Sequence, residues 1–308
     1  MHAIRADGRV FARASAKINL TLDVLGRRPD GYHELASVMQ TVSLADTLAF
    51  QALADGETAF FCDVPALNDP ENLVCQAVQA LREATGCARG VQIELQKQTP
   101  TQGGLGGGSS DAATVLLALN AWWSLGLSQE RLLELAARLG SDVPFFVLGG
   151  TALVEGRGER VTPLPDLPGL WVVLLKPPVA VSTPAAFRAL TPDDYTGGQA
   201  TARLASALRA GSLPAFDGLV NALEARVCQE YPAAAEARAA LIAAGAQIAR
   251  MSGSGPTLFA LFRSLEEAQP VYQTLLQDGR QVWLAHTVSR AEALAGSGEA
   301  LGHPPAGG

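Results

Sequence analysis

Gly103-Gly104-Leu105-Gly106-Gly107-Gly108-Ser109-Ser110-Asp111 decides the reading of this chain. Upstream, Val91-Gln92-Ile93-Glu94-Leu95 alternates with period two and predicts a strand. Downstream, Ala112 to Trp123 is apolar on every face and predicts a buried helix, with Trp122 and Trp123 read as core. Glycines between a strand and a helix let the backbone come close to a ligand, so that successive amides converge on phosphate oxygens. The helix that follows aims its unpaired N–H groups and positive dipole end at the same point, while Ser109 and Ser110 add hydroxyls or cap the helix. A Gly/Ser linker or a plain N-cap has the same composition, but the apolar flanks on both sides weigh against a linker.

Three familiar phosphate loops do not fit. A Walker A loop needs Gly-Lys-Ser/Thr, and no lysine follows these glycines. Neither Gly104 nor Gly106 starts a Gly-x-Gly-x-x-Gly/Ala series of the dinucleotide type. No His-Arg-Asp or Asp-Phe-Gly triplet of a protein kinase occurs.

Outward from the loop, Val10 to Leu25 predicts a strand, Gly26 to Gly31 a turn, and Tyr32 to Leu44 a strand or short helix. Helices are predicted over Asn72 to Ala84 and Gln129 to Leu139, a strand over Gly150 to Val154, and a tight turn over Glu155 to Glu159. Pro163, Pro165 and Pro168 mark a boundary, which divides the chain into domains 1–165 and 166–290. In the second half, Trp171 to Leu175 reads as a buried strand. Ala200 to Leu208, Ala215 to Val227 and Ala233 to Ala243 read as helices, and Thr191 to Gln199 as a surface loop. Ile248 to Met251, Thr257 to Phe262, Leu265 to Leu276 and Val282 to His286 complete a β-loop-β-α-β unit, and residues 291–308 read as a frayed tail.

A chain of 308 residues, 48% hydrophobic and 17% charged, is an ordinary globular protein large enough for two domains. Its net charge of −7 and lack of a Lys/Arg run exclude nucleic acid as the expected partner, so anionic ligands must be held locally. Cys62, Cys75, Cys87 and Cys228 form neither a CxxC pair nor a metal-ligand spacing, so no metal-ligating residue is assigned. Reduced thiols, the absence of an apolar leader and the lack of a run long enough to span a bilayer place the protein in the cytoplasm, away from membranes.

Further motifs accompany the loop. Ala14-Ser15-Ala16-Lys17-Ile18-Asn19-Leu20 puts a lysine in an apolar strand, where an unpaired ammonium is costly to bury. Ser141-Asp142-Val143-Pro144-Phe145-Phe146 sets a carboxylate at the mouth of an apolar stretch, where it could equally be a helix N-cap. Arg28 to Leu35 carries Tyr32 and His33 just after a turn, Arg250 to Thr257 is a second Gly/Ser loop, and Glu71-Asn72-Leu73 and Val181 to Phe187 agree more weakly. Together, from Ala14 to Phe262 and in the expected order, these stretches resemble the motifs of the GHMP kinases. The Arg28–Leu35 stretch resembles the members whose acceptor is a cytidine diphosphate alcohol of the non-mevalonate isoprenoid route.

The resemblance implies an α+β GHMP kinase fold, with an N-terminal domain like ribosomal protein S5 domain 2 and a ferredoxin-like C-terminal domain. It also implies ATP with Mg²⁺, held by Asn72, Gly103, Gly104, Leu105, Gly106, Gly107, Gly108, Ser109, Ser110, Gly253 and Ser254. Lys17 and Asp142 become the catalytic pair, and Asn19, Tyr32, His33, Asp142 and Phe187 the acceptor site. The alternatives are another GHMP small-molecule kinase, such as a mevalonate or homoserine kinase, or a non-catalytic nucleotide-binding regulator. Two residues depart from the family pattern: Gln102, where Gly or Ala is usual, and Ala222, where Asp is frequent.

Overall fold

The computed structural model describes residues 8–213 and 215–297. The first half contains β1 (Val10–Arg27), β2 (His33–Leu53), β3 (Thr58–Cys62), α1 (Leu73–Thr85), β4 (Gly90–Gln96), α2 (Gly107–Trp122), α3 (Gln129–Leu139), α4 (Val143–Leu148), β5 (Thr151–Gly156) and β6 (Arg160–Pro163). Its sheet runs β3-β4-β2-β5-β6, with β1 antiparallel along β2. The long β2 is the spine: β4 pairs with its Thr47–Leu53 stretch and β5 with its Leu35–Gln40 stretch.

The second half contains β7 (Trp171–Lys176), α5 (Thr183–Arg188), α6 (Gln199–Arg209), α7 (Glu224–Glu230), α8 (Pro232–Ala243), β8 (Arg250–Met251), β9 (Leu258–Phe262), α9 (Leu265–Gln277), β10 (Gln281–His286) and α10 (Arg290–Ser297). Its antiparallel sheet has the order β10-β7-β9-β8. The predicted α+β class holds in both halves.

The apolar alternation of the strands sorts the core into layers. Val10, Ala12, Ala14, Phe50, Ile93 and Leu95 face helices α1 to α4. Ala16, Ile18, Leu20, Val38 and Val42 face Val172, Leu174, Phe259, Leu261 and Ala285 of the second sheet, so the two sheets pack face to face. Val173, Leu175, Leu258, Ala260 and Phe262 then face α8 and α9. This covering on both faces explains why Trp171 to Leu175 reads as a continuous apolar run.

Even-numbered residues of β1 face the helices up to Ala14 and the second sheet from Ala16 onward. The switch coincides with a register shift between Ser15 and Lys17, where β1 jumps from Ala45 to Thr41 on β2. An irregularity of this kind re-aims the side chains that follow it. After it the odd-numbered Lys17 and Asn19 are buried, whereas Arg13, just before it, is exposed.

Several expectations are corrected. The helix after the glycine loop begins at Gly107, five residues before the predicted Ala112, because α2 takes two glycines into its first turn. The predicted helix Ala215 to Val227 is broken: Phe216–Gly218 is a 3-10 turn, and α7 starts only at Glu224. Between them the chain runs beside β1, with the Leu22 amide donating to the Val220 carbonyl at 2.8 Å and the Ala222 amide to the Leu22 carbonyl at 2.9 Å. The stretch expected as a frayed tail from 291 is instead α10 as far as Ser297, and its remainder, 298–308, lies outside the described residues. Arg290 fastens α10 back to the first half, donating to the Thr151 carbonyl at 2.9 Å, while Leu294 packs against the first core. Gly149 permits this approach, since a Cβ there would stand 2.8 Å from that of Ala293. No described helix is long and apolar enough to cross a membrane.

Phe145 in α4 is fully buried and meets Phe146 edge to face, with centroids 5.1 Å apart. Phe145→Ala should therefore cost about 3–5 kcal/mol, the range for truncating a core phenylalanine. Urea unfolding measures it, and a loss under about 0.5 kcal/mol, the range of an ordinary surface change, would contradict this packing.

Candidate active site

A cleft of about 1550 Å³ lies between the halves, lined by the glycine loop, the middle and end of β1, the Asp30–His33 turn, Ser141 and Asp142, α5 and the Gly253–Ser254 loop. Its centre is built on Lys17. The buried ammonium donates to Asn19 Oδ1 at 2.5 Å and stands 3.5 Å from Asp142 Oδ2. Asn19 is fully engaged by its neighbours, since its Nδ2 donates to Ser37 Oγ at 2.8 Å. Asp142 occupies the N-cap position of α4, yet its side chain makes no capping hydrogen bond. With about a third of that side chain exposed, the carboxylate faces the cleft beside Lys17.

The glycine loop reaches this centre through its backbone. The Leu105 carbonyl accepts from the Lys17 amide at 3.0 Å, and the Leu105 side chain is buried in the core between the sheets. Gly106 is left-handed at φ 70, and a Cβ there would lie 2.7 Å from the Phe146 ring and 3.2 Å from Lys17 Cγ. Gly104 is equally constrained, because a Cβ would fall 2.2 Å from the Ser252 carbonyl oxygen. Gly108, by contrast, meets nothing within 4 Å and opens toward the cleft. Gln102 adopts φ 52, a left-handed conformation that glycine takes without strain and that residues with a Cβ rarely adopt.

The predicted phosphate-binding residues divide into two groups. Gly103 to Ser109 line the cleft, as do Gly253 and Ser254. Ser110 does not: it is buried, its hydroxyl donates to the Ser15 carbonyl at 2.7 Å and its amide to the Gly106 carbonyl at 2.9 Å. Ser110 therefore fixes the loop to β1 and presents no donor to the cleft. Asn72 lines the cleft, but its amide caps α1, accepting from the Val74 amide at 3.0 Å and donating to the Leu67 carbonyl at 3.0 Å.

The two glycine loops touch directly. Ser252 Oγ donates to the Gly104 carbonyl at 2.9 Å, and a Cβ on Gly253 would stand 3.1 Å from Lys17 Nζ. Asn221 steadies the second loop by donating to the carbonyls of Met251 and Gly253, each at 2.8 Å. Thr183 Oγ1 and Ser254 Oγ lie 2.7 Å apart.

At the far end the rings gather. His33 stacks on Phe187 with centroids 5.5 Å apart and meets Tyr195 edge-on at 5.9 Å, while Tyr32 remains 54% exposed. Burial, aided by the charge of Arg27, moves the His33 pKa below its ordinary value, so the neutral ring is favoured. Tyr195 lies in the stretch read from sequence as a plain surface loop.

A second buried charge group escapes sequence reading altogether. Lys97 Nζ lies 2.5 Å from Asp46 Oδ2 and 2.7 Å from Asp111 Oδ2, at the foot of the glycine loop. Burial pushes the Asp111 carboxyl up to about 7 despite the opposing pull of Lys97, and its Oδ1 has no hydrogen-bond partner. Lys97 stands in a polar run, Gln96-Lys97-Gln98, and Asp46 in an ordinary strand, so neither carries a local signal. Among the described residues, no cluster of three or more His, Cys, Asp or Glu could hold a metal by itself.

With this geometry established, the comparisons with known proteins are specific. The family profiles described as GHMP kinases N terminal domain and GHMP kinases C terminal match residues 72–150 and 204–281. A 4-diphosphocytidyl-2-C-methyl-D-erythritol kinase of Pelotomaculum thermopropionicum is 45% identical over 284 residues, covering 90% of this chain and 98% of that protein. A crystal structure of 4-(cytidine 5'-diphospho)-2C-methyl-D-erythritol kinase superposes with a TM-score of 0.76 at 37% identity, over 90% of this chain and 98% of its own. A homoserine kinase from Cytophaga hutchinsonii, at 21% identity and a TM-score of 0.66 over 94% of this chain and 97% of its own, shares the fold. The chain belongs to the GHMP kinases and, within them, to the 4-diphosphocytidyl-2-C-methyl-D-erythritol kinases.

Proposed function

We propose that this protein transfers the γ-phosphoryl group of ATP to the 2-hydroxyl of 4-diphosphocytidyl-2-C-methyl-D-erythritol, in the cytoplasm, as a step of the non-mevalonate isoprenoid route. The observation that carries the reading is the Lys17–Asp142 pair, 3.5 Å apart, in one cleft with a glycine loop suited to a triphosphate and a ring cluster suited to a pyrimidine. A non-catalytic nucleotide-binding regulator would have no use for that pair. A mevalonate or homoserine acceptor would have no use for the rings.

Phosphoryl transfer passes through a loose transition state, so positioning and charge stabilisation supply most of the rate. The amides of Gly106 to Ser109, at the positive end of α2, hold the β- and γ-phosphates. Asp142, free of any capping bond, orients the acceptor hydroxyl and takes up its proton. Lys17, held by Asn19, stabilises the charge that develops on the transferring oxygens. Mg²⁺, when bound with ATP, would supply neutralisation of the phosphate charge. The unpartnered Oδ1 of Asp111 and the Ser109 hydroxyl are hard-oxygen groups at that end of the cleft, and they fit the few protein ligands such a cation takes. At the other end, Tyr32 and Phe187 stack on the cytosine, and the neutral His33 reads its edge with one donor and one acceptor nitrogen.

Gly108 is the informative position in the loop, because Gly106→Val and Gly104→Val would disturb Phe146 or the Ser252 backbone whether or not phosphate binds. Gly108→Val adds its side chain to open space in the first turn of α2 and should leave thermal stability intact. It should raise the KM for ATP roughly ten-fold or more, the effect of losing about 1.4 kcal/mol of phosphate contact. A well-folded variant with unchanged ATP affinity would remove the loop from the phosphate site.

Asp142→Asn keeps the shape but not the base. It should lower kcat by about 10²-fold or more, as loss of a general base does, with the acceptor KM near its original value. Turnover close to that of the parent would reduce Asp142 to its N-cap position. Tyr32→Ala should raise the acceptor KM roughly ten-fold, since stacking on a base is worth about 1–3 kcal/mol, with the KM for ATP unmoved. An unchanged acceptor KM would place the base elsewhere.

A further inference from the structure

Arg157 lies at the tip of the β5–β6 turn, with its guanidinium carbon 4.9 Å from the centroid of the Tyr32 ring. Both residues line the cleft. Tyr32 is 54% exposed and follows a turn, so packing alone does not fix its ring. We propose that Arg157 is a positioning residue for the acceptor: its cation lies on one face of Tyr32 and holds the ring for stacking on the acceptor's base. The inference rests on the assignment of Tyr32 to the base site made above.

The turn is built to deliver that side chain. Gly156 and Gly158 flank Arg157 at φ 76 and φ 115, conformations that ordinary residues rarely adopt. The Arg157 amide donates to Glu159 Oε2 at 2.6 Å, closing the turn on itself. Gly158 comes so near to Ser141 that a Cβ would stand 3.2 Å from the serine's Cβ and carbonyl oxygen. The turn is thus seated beside Asp142.

From the same turn Arg160 reaches Glu34 at 3.0 Å, and Glu34 is in turn paired with Arg28. Arg28 also pairs with Asp30 at 3.2 Å, and Asp30 accepts from the Tyr32 amide at 3.1 Å. The backbone of the Tyr32 loop is therefore tied to the β5–β6 turn through ions, and its ring through the Arg157 cation. One short turn spans the acceptor site from the reacting carboxylate to the base.

A guanidinium over a tyrosine face is a weak but directional attraction, and it leaves the opposite face free for a base. Steady-state kinetics on Arg157→Ala, Arg157→Lys, Tyr32→Ala and the double variant Arg157→Ala/Tyr32→Ala test the proposal. Arg157→Ala should raise the acceptor KM about two- to five-fold, the equivalent of an exposed cation–π contact, with kcat and the KM for ATP unmoved. Arg157→Lys, which keeps the charge without the plane, should fall between the two. On the Tyr32→Ala background, removing Arg157 should change nothing further.

An equal rise on both backgrounds would mean that the guanidinium touches the acceptor itself and would overturn the positioning role. So would an unchanged acceptor KM in Arg157→Ala, or a fall in kcat alone. If Tyr32→Ala itself leaves the acceptor KM unchanged, the base-site assignment fails. A silent Arg157 beside a sensitive Tyr32 sinks this inference alone.

Discussion

Backbone-to-backbone contact between two glycine loops, one from each half of the chain, is the constraint on which the rest of the structure depends. Gly104 and Ser252 approach so closely that no side chain fits between them, and the Ser252 hydroxyl seals the contact on the Gly104 carbonyl. The approach brings Gly253 within reach of Lys17, while the Lys17 amide holds the first loop through Leu105. A buried ammonium is tolerable only where anionic or polar groups face it, and here Asn19 and Asp142 do so. The same contact thus closes this end of the cleft and positions its cation.

On the proposed reaction the cleft binds two polyanions, although the chain carries a net charge of −7. Cations are accordingly concentrated inside it: Lys17, Lys97, Arg27, Arg157 and Arg188 all line the walls. They are not equivalent. Lys97 is matched by two carboxylates and serves to keep Asp46 and Asp111 together beneath the loop. Asp46 also accepts from the amides of Gln98 and Thr99, so the whole strand-to-loop transition is anchored on one carboxylate. Burial raises the Asp111 carboxyl while the Lys97 ammonium opposes the rise.

Much of the architecture was legible because local signals agreed: period-two strands, the helical spacing of Leu73 to Leu81, and glycines placed between a strand and a helix. The misread elements have specific causes. Glycine's low helix propensity hid the true start of α2, where tertiary contacts and the Gly106 turn override it. A helical spacing of apolar residues around Leu219 and Leu223 concealed the stretch that pairs with β1, since pairing is a long-range choice. The irregularity at Ser15–Lys17, which aims the central lysine, has no residue-type signature at all. Lys97, Asp46, Tyr195 and Arg157 acquire their places only through contacts distant in sequence, so no motif could mark them.

The distribution of cross-domain contacts also indicates where adaptation to an acceptor can occur. Besides the glycine loops, backbone bonds join Leu22 to the Val220–Ala222 stretch, and the Val288 amide donates to the Thr41 carbonyl at 2.9 Å. The start of α6 is locked as well, with the Thr201 amide donating to Asp23 Oδ2 and its hydroxyl paired with that of Thr21, each at 2.9 Å. Rotation of one half against the other would have to break these bonds within a face-to-face apolar core. The rings of His33, Phe187 and Tyr195 are held to one another by ring contacts of 5.5–5.9 Å and can separate without breaking a backbone hydrogen bond. The aromatic end is thus less constrained than the end where the two glycine loops hold each other.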